Sequence, residues 1–163
     1  MHRLKYVGRG DIREVSSRSP PGAPIRSRED LLSWLAHNMD DEGGWRTFVV
    51  SLDGDLVIAP RRSEHVACAG GLDVLAAGEI RFAGDGTVAE VTNNSTGYCP
   101  PESSWNAVGR ALDAAALGHP GGFTFLARFR RCQHCGERNL VKEDWYVCAI
   151  CDADLPKQWN FDG

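Results

Sequence analysis

Apolar positions recur along the chain with two different periods, and the switches between them mark out the elements. Leu31, Leu32, Leu35 and Met39 fall at helical spacing behind Ser27-Arg28-Glu29-Asp30. That tetrapeptide has the form of a capping box, with its acidic residues in the first turn, where the helix dipole favours them. The pattern predicts a helix over residues 28–39, flanked by Trp34 and stopped by Asp40-Asp41-Glu42-Gly43-Gly44. A second stripe of Trp105, Val108, Leu112 and Ala115 predicts a helix over 103–117, closed by Gly118.

Elsewhere the period shortens to two or the chain turns. Residues 47–52 and 55–59 read as strands around Asp53-Gly54, a hairpin dipeptide suited to the positive φ such turns need. Pro60 ends the second strand. Residues 78–82 and 87–92 form a second hairpin around Gly84-Asp85-Gly86. Residues 123–130 read as one long strand running straight into Cys132. Residues 1–16 suggest a short strand or two, with Tyr6, Val7 and Ile12 as apolar points. The stretch 18–24 resembles a linker, and its prolines place it outside any sheet. Residues 61–68 make a polar connector and residues 93–101 a loop rich in turn formers. These elements predict an α+β fold: a hairpin-rich antiparallel sheet with two main helices, plus a small C-terminal zinc ribbon. The expected division is a body over 1–126 and a ribbon with an aromatic tail over 127–163, docked on the body.

Composition narrows the function classes. The chain has 163 residues, 42% hydrophobic and 25% charged, with a formal net charge of −4. A core of ordinary size is therefore available. Basic and acidic residues number 8 and 9 over residues 1–60, 4 and 7 over 61–126, and 6 and 6 over 127–163. No region carries the positive field that duplex binding exploits, so nucleic acid is an unfavoured partner. A local patch of Arg128, Arg130 and Arg131 leaves a weaker alternative through the ribbon. No run of residues is long and apolar enough to cross a membrane, and no secretory signal opens the chain. Six cysteines in such a chain point to a reducing cytosol and to metal ligation rather than disulfides.

Four of those cysteines carry the most specific signal. Cys132-Gln133-His134-Cys135 and Cys148-Ala149-Ile150-Cys151 are two Cys-x-x-Cys pairs twelve residues apart. Four thiolates close a tetrahedral zinc shell and leave no open position, which suits a structural rather than a catalytic metal. Gly136 after the first pair lets the backbone turn toward the sulfurs. Residues 139–141 and 145–147 are the expected strands between the knuckles. The stretch 130–156 resembles the rubredoxin-like zinc ribbons, and that resemblance implies structural Zn2+ on Cys132, Cys135, Cys148 and Cys151. Iron is chemically admissible in such a site. His134, inside the first knuckle, reads as a bystander.

Two polar loops supply the other candidates. In Ser63-Glu64-His65-Val66-Ala67-Cys68, His65 is placed to act as a general base. In Ser95-Thr96-Gly97-Tyr98-Cys99-Pro100, Tyr98 offers a hydroxyl, and Cys99 is a thiol close to a helix start. Glu79, on the strand between them, completes a candidate catalytic set of His65, Glu79, Tyr98 and Cys99. Each also has a bland reading: a histidine capping a strand end, a packed tyrosine, a buried cysteine. Ala77-Gly78-Glu79, followed by a hairpin and Asn94-Ser95-Thr96-Gly97-Tyr98-Cys99-Pro100, resembles a pattern in uncharacterised bacterial proteins. There an Ala-Gly-Glu strand precedes a Ser-Gly-His-Tyr-x-Pro loop, with a histidine upstream. The resemblance covers residues 64–117 and implies a shared fold. Gly97 stands where that loop has its histidine.

Dinucleotide, P-loop, zinc-protease, nucleophile-elbow and deaminase signatures are absent. The sequence thus points first to a cytoplasmic, bacterial-type zinc-binding interaction or adaptor protein with a protein partner. A small enzyme built around His65 and Tyr98-Cys99, taking a small-molecule ligand, is the alternative. ADP-ribosyltransferase-like chemistry, using His65, Ser95-Thr96, Tyr98 and Glu102, is a remote version of it. The tail aromatics Trp159 and Phe161 read either as a hook for a partner or as a cover folded back on the chain.

Overall fold

A computed structural model describes residues 2–39 and 43–161. The fold is α+β. Its main sheet has five antiparallel strands: β1 (Ala23–Ile25), β2 (Trp45–Ser51), β3 (Leu56–Pro60), β4 (Val74–Phe82) and β5 (Val88–Val91), in the order β1-β3-β2-β4-β5. The two predicted hairpins supply four of these strands. Gly54, with φ of 87°, occupies the first turn, where a side chain would be strained. β2 lies at the centre and buries five consecutive residues, Arg46 to Val50. Phe48 and Val50 face one side and Val49 the other, as the pleat requires.

Two helices cover the Phe48 face. Helix α2 (Arg28–His37) is capped by the Ser27 hydroxyl, which accepts from the Asp30 amide at 3.0 Å. The Asp30 carboxylate in turn accepts from the Arg26 amide at 2.9 Å, one residue earlier than the reciprocal bond of a capping box. The helix ends at His37, so Met39 lies beyond it and is 87% exposed rather than completing the apolar stripe. Leu32 also points outward, leaving Leu31, Trp34 and Leu35 to meet the core. Helix α4 (Trp105–Ala114) follows a short 3-10 turn at Glu102–Ser104 and buries Val108 and Leu112. Ala116, with φ of 57°, takes the left-handed closing position expected of Gly118. The earlier turn buries Leu117 and brings the Gly118 carbonyl to the Val88 amide at 2.8 Å.

The opposite face of the sheet is closed by elements read differently from the sequence. Residues 10–16 form helix α1 (Gly10–Ser16), not a strand, and among the described residues of this segment Leu4 alone bridges the sheet, at Val74. The polar connector contains a one-turn helix, α3 (His65–Cys68), which buries Val66 and Cys68. Pro24 lies inside β1 after all. The sheet tolerates it because β1 is an edge strand.

The predicted long strand over 123–130 is shorter. Thr124 and Phe125 run beside β5, with a parallel bridge between Thr92 and Phe125, and β6 (Arg128–Arg131) begins only afterwards. β6 pairs with β7 (Arg138–Val141) in a separate two-stranded sheet. Residues 145–147 are not the partner of β7; Val147 instead bridges Asp154. The knuckle Cys132–Cys135 therefore sits in the β6–β7 turn, and the second knuckle sits in the Val147–Asp154 turn.

Candidate metal centre and neighbouring cavity

The four thiols of Cys132, Cys135, Cys148 and Cys151 lie within 4.8 Å of one another. Cys132 Sγ is 3.5 Å from Cys151 Sγ, and Cys135 Sγ is 3.6 Å from Cys148 Sγ. A tetrahedral zinc with bonds of about 2.3 Å separates its sulfurs by about 3.8 Å, so the spacing fits such an ion. The surroundings fit as well. The Cys135 amide points at Cys132 Sγ at 3.5 Å, and the Ile150 amide and the Asn139 side-chain amide both point at Cys148 Sγ at 3.4 Å. Donors aimed at sulfur stabilise thiolate. Backbone amides accordingly lower the Cys132 and Cys148 thiols, Cys148 to about 6. The four sulfurs are placed to hold one metal ion.

The fold around the site locks it in place. Asn139 is buried on β7; besides its donation to Cys148 it accepts from the Ala149 amide at 3.0 Å, tying the first hairpin to the second knuckle. Cys132 N donates to the Glu137 carbonyl at 2.8 Å and Cys148 N to the Ala153 carbonyl at 2.8 Å, closing both turns. Cys132, Val141, Cys148 and Leu155 make a small apolar cluster, and Tyr146 packs against it. A core of that size is too small to stabilise the segment unaided, which is where a metal contributes folding free energy.

The ribbon makes direct contact with the rest of the chain. Buried Asn93, after β5, donates to the carbonyls of Pro100 at 3.1 Å and Ala127 at 2.8 Å, and accepts from the Ala127 amide at 2.6 Å. Cys99, Ala127 and Phe129 form an apolar seam with Val7 and Phe161. The tail folds back. Arg130 is buried on β6 and donates to the carbonyls of Phe129, Pro156 and Lys157. Asn160 exchanges two 2.8 Å hydrogen bonds with the Arg131 backbone. Trp159 donates its indole N–H to the Cys99 carbonyl at 2.7 Å. Sequence reading did not single out Asn93, Asn139 or Asn160, because isolated polar residues carry no periodicity, and it placed Arg130 in a local basic patch; their roles follow from what tertiary packing brings to them.

The candidates in the two loops are held separately. His65 Nε2 donates to the Gly78 carbonyl at 2.8 Å, and burial lowers the imidazole pKa. Tyr98 is fully buried; its hydroxyl donates to the Leu72 carbonyl at 2.8 Å, and burial raises its pKa. Burial likewise pushes Cys99 up to about 12, and its Sγ lies 3.5 Å from the Thr96 carbonyl. Cys68 is also pushed up by burial to about 12. Glu79 is partly buried on β4 and lies 3.4 Å from Arg61. Of the four, His65 alone lines a cavity of about 150 Å³ between α3, the N-terminal segment, the Thr96-Gly97 loop and β7. The arginines of the ribbon patch are engaged within the chain: Arg128 pairs with Asp144 at 3.2 Å, and Arg131 stacks over Phe161 at 5.1 Å.

No family model, curated protein or solved structure matches this chain. Among the described residues, no helix is long and apolar enough to cross a membrane.

Proposed function

We propose that this is a zinc-binding interaction protein in which a structural four-thiolate site rigidifies a C-terminal ribbon for docking to a protein partner. The observation that carries the reading is the cluster of four sulfurs within 4.8 Å, supported by amide donors and by an Asn139 bridge. The set uses all four positions of a tetrahedral ion, so it offers a scaffold rather than a reactive metal. Thiolate-only ligation favours zinc where no electron-transfer partner is implied.

The partner part of the reading is supported by where apolar side chains face outward. Trp145 is 70% exposed and Ile150 69%, and both belong to the second half of the ribbon. Exposed large aromatics of this kind are the anchors protein interfaces use. The test has two arms. Purified chain is expected to hold one zinc per molecule, and Cys148→Ser to lose it. A photo-crosslinking side chain at position 145 is expected to give a discrete protein adduct in cells, with none from position 110 on α4. Metal-free protein with unchanged melting overturns the zinc reading; equal labelling at the two positions overturns the docking reading.

One observation favours a second reading, a small enzyme or ligand-binding protein: His65 lines a cavity shared with the charged side chains of Glu64 and Arg138.

A further inference from the structure

Two open clefts, of about 620 and 630 Å³, are larger than the cavity beside His65; the second has its charged rim paired, Arg26 with Asp55 at 3.0 Å and Arg3 with Asp73 at 2.7 Å, and the first shares Glu64 with the small cavity. The small cavity beside His65 differs in kind. Its wall joins four separate segments, and it carries Glu64 from the start of α3 and Arg138 from β7. Among the described residues no ion pair joins these two opposite charges. Arg9, also on the wall, is neutralised by Asp11 through bonds of 2.6 and 3.1 Å. Arg138 donates to the Thr96 carbonyl and also hydrogen-bonds the Cys99 thiol, which leaves part of its five-proton donor fork. Tyr6, on the same wall, is within electrostatic reach of both charges. Burial raises its phenol, while Arg138 draws it down and Glu64 pushes it up.

His65 adds an acceptor. Because Nε2 donates to the Gly78 carbonyl, Nδ1 of the neutral ring is the nitrogen with a lone pair to offer. The cavity therefore presents a cation, an anion and a neutral acceptor around a space well below the roughly 300–1,000 Å³ of drug-sized sites. A lone anion would satisfy Arg138 and face Glu64; a lone cation would do the reverse. Only a ligand carrying both charges a few bonds apart satisfies the whole wall.

We propose that this cavity binds a small zwitterion, an α-amino acid of about alanine size, with its carboxylate on Arg138 and its ammonium between Glu64 and His65 Nδ1. The proposal deepens the ligand-binding reading above. The ribbon supplies the carboxylate's partner: Arg138 opens β7 directly after the turn that Cys132 N closes on the Glu137 carbonyl. Ligand binding and ribbon folding are thereby linked through one strand.

The experiment is a two-dimensional amide NMR titration of the zinc-loaded full chain with L-alanine, glycine, acetate and methylammonium. L-Alanine is expected to give saturable shifts centred on Tyr6, His65, Gly97 and Arg138. Each single-charge probe is expected to bind at least about tenfold more weakly, the loss that follows from one unmade charged hydrogen bond. Glu64→Gln, at an exposed position, and Arg138→Gln are expected to weaken L-alanine by a similar factor, while Arg138→Lys retains part of it. Absent or scattered shifts, acetate binding as tightly as L-alanine, or affinity unchanged in Glu64→Gln would each overturn the proposal. Zinc content measured on the same samples separates this outcome from a failure of the metal reading.

Discussion

Asn93 and Ala127 hydrogen-bond in both directions, the Asn93 side chain donating to the Ala127 carbonyl at 2.8 Å and accepting from its amide at 2.6 Å. Thirty-four positions apart in sequence, they mimic one rung of a β-ladder with a side chain. A third bond, to the Pro100 carbonyl at 3.1 Å, ties the loop before α4 to the same point. Asn93 is fully buried, so its loss leaves backbone groups without water. Asn93→Ala is expected to cost about 3 kcal/mol, roughly 1 kcal/mol for each of three bonds. Denaturant unfolding measures it, and a change within experimental error would show that the junction is not stabilised here.

At the metal, the contribution of Asn139 is separable from that of the ligands. It donates to Cys148 Sγ at 3.4 Å and accepts from the Ala149 amide at 3.0 Å, yet it is not itself a ligand. Outer partners of this kind are worth about 10–100-fold in metal affinity. Asn139→Ala is expected to bind zinc more weakly by a factor in that range while keeping a stoichiometry of one. A competition titration with a chromophoric chelator reads the change, and wild-type affinity would count against an ordering role.

His65 gives the body an acid-sensitive element. Burial depresses its folded-state pKa below the ordinary 6.5, opposed by the hydrogen bond to Gly78 and the charge of Glu64. The unfolded chain therefore binds the proton first. Stability from this group is fully present above about pH 6.5 and is lost as pH falls through that value toward the depressed one. Acid also releases metal from thiolates, so the comparison must be differential. Between pH 7.5 and 5.5 the melting temperature of the wild type is expected to fall further than that of His65→Gln at equal zinc loading. Parallel curves would mean that His65 is protonated equally in both states.

The metal site was legible in the sequence because four cysteines at fixed short spacings are local information. The two hairpins and both main helices were legible for the same reason: Asp53-Gly54, Ser27 and the apolar stripes act within a few residues. What tertiary contacts decide was not. Residues 10–16 lack an apolar stripe strong enough to announce α1, and only Ser16 of that helix is buried. Phe123 to Arg130 alternates like a strand, but the chain breaks at Ala127 because Asn93 captures that backbone. Met39 shares the period of α2 and misses the core because the helix stops two residues earlier. The charged pair around the His65 cavity comes from positions 64 and 138, too far apart in sequence for any spacing rule to link them.

Gly78 shows how closely the sheet is packed behind that cavity. It lies on β4 opposite Phe48 of β2, and its carbonyl holds His65 Nε2. A Cβ added there would overlap the Thr92 carbonyl and meet the Phe48 ring at 3.0 Å. Its requirement for glycine is one of space, since the obstacle on one side is backbone and cannot rotate away. Gly78→Ala must therefore push β4 away from the Thr92 backbone, with Phe48 giving way as well, an overpacking that costs about 1–3 kcal/mol. The displacement also shifts the acceptor of His65, so the variant is expected to lose stability and the protection of the His65 ring proton together. Side-chain NMR of the imidazole, read beside the melting temperature, checks both. A stable Gly78→Ala with an unshifted His65 signal would show that β4 has slack the packing does not suggest.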